Sequence, residues 1–137
     1  MWGNRREVRL AAAYALGLFA LNVYIVRELF TIEFTRYLFN VDGLFISISR
    51  FLLDHPSERS WWPLWNLGMP FHCTYLPVLP MLVAVWAKIT GYSPALSYHG
   101  VTAFFYCLGP VTLFLMAFGL SRRIHASFFS ALAYAVV

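Results

Sequence analysis

Two long stretches without a charged side chain decide what this sequence can fold into. Residues 10–26 and 101–120 interrupt their apolar runs only with Gly, Thr, Asn, Cys or Pro. A water-soluble amphipathic helix carries polar residues on one side throughout its length, so neither stretch can present a wetted face. About 20 apolar residues suffice to carry a helix across a bilayer, and both stretches therefore read as membrane spans, the first over residues 10–30 and the second over 97–120. The balance of the chain agrees. It is 61% hydrophobic and 12% charged, where soluble domains run at about 25% charged. The expected fold class is all-α and integral to the membrane, with one membrane domain over residues 1–137.

The net charge of +4 does not point to nucleic acid, because the basic residues are scattered singly or in pairs with no basic helix or RNA-binding motif beside them. Cys73 falls in a polar loop and Cys107 in the second span, so no disulfide between them is expected. Arg5, Arg6 and Arg9 resemble the flank of a signal peptide, but no small-residue cleavage site follows before Arg27, and the first span reads as an uncleaved anchor. Residues 126–137 are apolar again, yet twelve residues reach only about 18 Å of a core about 30 Å thick. They read as a truncated third span, and the chain as the N-terminal part of a longer polypeptide.

Lys and Arg near span ends mark the cytoplasmic side. Arg5, Arg6 and Arg9 precede the first span, and Arg122 and Arg123 follow the second. If both clusters lie inside, the segment over residues 76–90 cannot cross. It opens with Pro77 and Pro80 and has the length of a re-entrant or interfacial helix; the competing reading makes it a short span and puts Arg122 and Arg123 outside. Gly91 suits the helix stop and Ser93-Pro94 the cap and first turn of the next helix. The expected location is the cytoplasmic membrane, with the N-terminus inside and loop 31–93 outside. Glu28, Glu33, Asp42, Asp54 and Glu58 lie in or beside that loop, which makes it the polar, chemically capable part of the chain.

Within the loop, residues 42–54 have a two-faced helical pattern. Leu44, Phe45, Ile48, Phe51 and Leu52 share one side, while Gly43, Ser47, Arg50 and Asp54 recur on the other. Such a helix is expected to lie along the membrane surface. Trp61, Trp62 and Trp65 are expected at headgroup depth, where an indole keeps its body in apolar surroundings and its N–H wet.

Asp42 is the leading candidate for chemistry. It sits where a helix start favours a carboxylate, so it reads either as a cap or as a catalytic carboxylate near the membrane surface. Glu33 is the second candidate, either pairing with Arg36 one turn away or meeting a lipid headgroup. Arg50 can hold a phosphate by a forked hydrogen bond or pair with anionic lipid. His72, Cys73 and Tyr75 invite a metal reading, but no second His or Cys lies at ligand spacing. Gly109-Pro110 inside the second span reads as a kink.

The order of these features resembles the N-terminal part of the GT-C membrane glycosyltransferases, the superfamily of protein mannosyltransferases, oligosaccharyltransferases and lipid A aminoarabinose transferases. It is most similar to their large, uncharacterised multi-spanning bacterial members. Residues 42–53, Asp-Gly-Leu-Phe-Ile-Ser-Ile-Ser-Arg-Phe-Leu-Leu, look like the acidic-start helix of the first outer loop, where the family pattern is an Asp-Glu pair with an Arg eight positions after the Asp. Residues 62–70, Trp-Pro-Leu-Trp-Asn-Leu-Gly-Met-Pro, and 74–80, Thr-Tyr-Leu-Pro-Val-Leu-Pro, are similar to the loop's second half. Asp42 and Arg50 match, whereas Gly43 replaces the second acid of the pair, which departs from a two-acid arrangement.

The resemblance implies a polyprenyl-phosphate sugar donor, in some members a divalent cation such as Mg or Mn, and transfer on the outer membrane face. Asp42 would then activate the acceptor and Arg50 would support the donor phosphate or the loop; Glu33 as a second catalytic candidate, and His72 and Tyr75 as substrate-binding candidates, rest on their places in the loop. The implied partners are the bilayer, the lipid-linked donor and the remainder of the polypeptide. The alternative from another class is a non-enzymatic multi-pass membrane protein, a transporter subunit or scaffold, whose loop is only an interfacial anchor.

Overall fold

The computed structural model describes residues 5–34, 40–57, 61–63, 68–70 and 77–136. The described chain is mostly helical. In order it forms α1 (Arg5–Ile25), a 3₁₀ turn (Arg27–Phe30), α2 (Asn40–Asp54), a short antiparallel hairpin of β1 (Trp61–Trp62) and β2 (Met69–Pro70), then α3 (Val78–Thr90), α4 (Pro94–Ser121) and α5 (Ile124–Val136). Contacts divide it into two compact units, Met1–Arg27 with Ala103–Val137, and Glu28–Thr102. Helix α4 begins in the second unit and ends in the first.

In the first unit Ala11, Leu18, Phe114, Phe118 and Ala131 form the core. Tyr14 joins it by stacking on Phe128 at 4.2 Å, while its hydroxyl meets His125 Nδ1 at 2.9 Å. Ala11, Ala131 and Ala135 are buried alongside Leu18, Phe114 and Phe118, while Phe104, Phe105, Tyr106, Met116, Leu120, Phe129 and Tyr134 are exposed.

The first helix stops earlier than the apolar run suggested. It ends at Ile25, and residues 27–30 form the 3₁₀ turn instead of a last helical turn. Arg27 and Glu28 introduce charge there, and Thr31 closes the turn by donating from both its backbone N–H (3.1 Å) and its hydroxyl (3.0 Å) to the Glu28 carbonyl. At the other end of the unit, α4 runs uninterrupted through Pro110. It gives way to α5 at a corner of two residues. Arg122 adopts φ 57°, a left-handed backbone, and its N–H donates to the Phe118 carbonyl at 3.0 Å. The Ser121 hydroxyl accepts from the Arg123 N–H at 3.2 Å and meets the Ser127 hydroxyl at 3.1 Å.

The second unit is built on α2 and α3. The apolar side of α2 expected from its periodicity is present: Phe45, Ile48, Phe51 and Leu52 are buried, whereas Gly43, Arg50 and Asp54 are exposed. The partner of that side is protein. Ile48, Phe51 and Leu52 pack with Trp62 and Ala84, and Phe45 packs with Val83 and Tyr98. The apolar side of α2 is thus covered by α3 and Trp62.

The wet indole N–H expected of Trp62 is corrected by its burial. Trp62 lies within this core, its ring edge-on to Phe51 at 5.4 Å, while Trp61 beside it is half exposed. Alternation along a strand sends the two indoles to opposite faces. Trp65 lies outside the described residues.

Helix α3 matches the expected 76–90 segment closely. It stops at Gly91, whose φ of 75° is left-handed and whose N–H donates to the Ala87 carbonyl at 2.8 Å. Pro80, Val83, Ala84 and Ala87 face inward, and Met81, Leu82, Val85, Trp86 and Ile89 form an exposed apolar arc on the opposite side.

Candidate functional site

Helix α4 opens with Ser93-Pro94, and the Ser93 side chain caps it as the sequence suggests: its Oγ accepts from the Leu96 N–H at 3.2 Å. The same hydroxyl donates at 2.6 Å to Glu33 Oε1, sixty positions away. Glu33 thus places its negative charge at the N-terminus of α4, where the helix dipole favours it. Arg36, its alternative partner, lies outside the described residues.

Just over one turn further along α4, the Tyr98 hydroxyl donates to Asp42 Oδ1 at 2.8 Å. Tyr98 is buried and its ring stacks on Phe45 at 6.2 Å and 22°, so the donor is fixed by packing. Asp42 is half-buried in the first turn of α2. That helix begins at Asn40, two residues before Asp42, so Asp42 is not the residue immediately outside the helix that a capping role requires. Its carboxylate still lies at the favourable end of the dipole, but its side-chain bond goes to α4.

Both candidate carboxylates therefore receive a hydroxyl from the beginning of α4. Arg50 does not join them. It sits eight residues beyond Asp42 on α2, about 12 Å along the axis at 1.5 Å per residue, and it is exposed. His72 and Tyr75 lie outside the described residues. Among the described residues no three of His, Cys, Asp and Glu come together to hold a metal ion.

Two buried polar atoms also fall in the opening turns of α4. Ser97 Oγ and His99 Nε2 have no hydrogen-bond partner. The residues are two positions apart, which sends their side chains to nearly opposite sides of a helix, so they do not form one site.

The bonds from Tyr98 to Asp42 and from Ser93 to Glu33 are the contacts at the candidate carboxylates that sequence reasoning missed. Ser93 was legible as a cap, but nothing in local spacing joins it to Glu33. Tyr98 is an aromatic at the polar end of an apolar run, which marks a hydroxyl needing a partner without saying which. The chain matches no family model, no curated protein and no solved structure.

Proposed function

We propose that the chain is a multi-pass segment of the cytoplasmic membrane, and that its acidic loop contributes a carboxylate to a GT-C-like glycosyltransferase acting on a polyprenyl-phosphate sugar outside the cytoplasm. Two helices, Arg5–Ile25 and Pro94–Ser121, are long and apolar enough to cross a bilayer, and only 17% and 28% of their most apolar windows are buried. A core helix of a soluble protein would be covered on most sides; these instead expose Phe, Leu and Met, which fits acyl chains as neighbours. The basic flanks at Arg5, Arg6, Arg9, Arg122 and Arg123 support an inside N-terminus and an outside loop.

The observation that carries the catalytic reading is the bond from Tyr98 to Asp42. A carboxylate has two oxygens. Tyr98 occupies Oδ1 and orients the group, leaving Oδ2 to accept a proton. In the transfer step the acceptor hydroxyl gives its proton to Asp42, its oxygen forms the new bond to the anomeric carbon, and the bond from that carbon to the donor phosphate breaks with its electron pair leaving on phosphate. Glu33, committed to the α4 cap, supports the site structurally in this reading.

The non-enzymatic anchor is favoured by a different observation, the exposed apolar arc of α3, which suits an interfacial seat with or without catalysis. Asp42→Asn in the full-length protein separates the two. Loss of glycosyl transfer with unchanged insertion and abundance supports the enzyme; undiminished transfer defeats it.

A further inference from the structure

The face of α3 turned away from α2 is apolar along its whole length. Val85 is 56% and Ile89 75% exposed, with Met81, Leu82 and Trp86 on the same arc. A helix that is apolar on both sides is stable only where something covers each side. Protein covers one side here.

Next to that arc, within the same unit, lies a half-open groove of about 250 Å³. Leu53 and Pro56 wall it from the end of α2 and the turn after it, and Met81 and Val85 wall it from α3. Met81 and Val85 belong to both the groove and the exposed arc, so the two surfaces are continuous. Lys88 is the one ionisable side chain among the described residues of the lining, and it is exposed. An apolar slot beside one ammonium has the polarity of a lipid whose chain is apolar and whose head carries one negative charge.

Resting on the membrane reading above, we infer that this groove holds an anionic phospholipid of the surrounding leaflet, one acyl chain between Leu53 and Val85 and the phosphate against Lys88. The apolar arc of α3 lies among neighbouring acyl chains, which leaves the polar side of α2, with Arg50 and Asp54, toward water.

The test reconstitutes the chain in bilayers of equimolar phosphatidylglycerol and phosphatidylcholine, extracts it in mild detergent and measures the lipid that stays bound by native mass spectrometry. Lys88→Met retains helix, exposure and length while removing the charge; Leu53→Trp fills the slot. The wild type retains phosphatidylglycerol over phosphatidylcholine by about fivefold, the effect expected of one lysine at an anionic surface. Lys88→Met keeps bound lipid without the preference, and Leu53→Trp keeps neither. Equal retention of the two lipids by the wild type, or an undiminished preference in Lys88→Met, overturns the inference. So does cross-linking of two chains through α3, which would put a second copy on this face. Alkaline extraction of the same bilayers distinguishes the two levels: a chain released by alkali overturns the membrane reading together with the groove, whereas one retained without lipid preference overturns the groove alone.

Discussion

The Tyr98 hydroxyl reaches Asp42 Oδ1 at 2.8 Å across 56 positions of sequence, tying the first turn of α2 to the start of α4. A hydrogen bond to a charged acceptor contributes about 1.5–3 kcal/mol where it is shielded from water, and less where it is half exposed. Tyr98→Phe keeps the stack on Phe45 and removes only the hydroxyl, and is expected to cost about 1–2 kcal/mol. A double-mutant cycle with Asp42→Ala, followed by unfolding in detergent micelles, should return a coupling of similar size. Additive effects would show that the two side chains do not interact.

Ser93 serves two partners with one hydroxyl, accepting from Leu96 and donating to Glu33. Ser93→Ala should lower stability by about 1 kcal/mol, the usual loss for a helix cap. Glu33→Gln should have a smaller effect, because the hydroxyl still caps the helix. Unfolding midpoints that rank the two variants in the opposite order would remove the capping role.

Trp62 and Trp61 are neighbours in sequence with opposite fates. Trp62→Ala opens a cavity against Ile48, Phe51 and Ala84 and should cost about 3–5 kcal/mol. Trp61→Ala should cost far less. If both indoles were headgroup anchors, the two substitutions would weaken membrane affinity alike and leave the unfolding free energy of the loop unit nearly unchanged.

Gly91 terminates α3 in a left-handed conformation with open space where a side chain would begin. Any penalty for Gly91→Ala is therefore one of backbone conformation, about 1 kcal/mol, and Gly91→Asn should recover part of it. Equal unfolding midpoints for the wild type and Gly91→Ala would mean that the turn relaxes.

Helix positions were legible because each rests on local chemistry. The period of residues 42–54 gives α2 and its buried side, Gly91 gives the end of α3, and Ser93-Pro94 gives the beginning of α4. What covers an apolar side was not legible. Periodicity states that Ile48 and Phe51 need apolar company, and it is silent on whether lipid or α3 provides it; the distinction depends on tertiary packing. Asp42 and Glu33 could be singled out as charges beside a span, but their partners Tyr98 and Ser93 lie beyond any local window. Arg50 was grouped with Asp42 through a family-like spacing, and helical geometry alone sets the two about 12 Å apart.

Arg122 occupies a backbone conformation that glycine would enter freely, and an L-residue there gives up about 1–2 kcal/mol of local conformational energy. Arg122→Gly would ease the bend but delete a permanent cation from a connection only two residues long. In the proposed bilayer setting that cation, with Arg123, opposes translocation of the α4–α5 hairpin during insertion. In that proposed setting local comfort is exchanged for directional certainty: the left-handed bend at Arg122 carries the charge that would keep this hairpin from being inserted upside down.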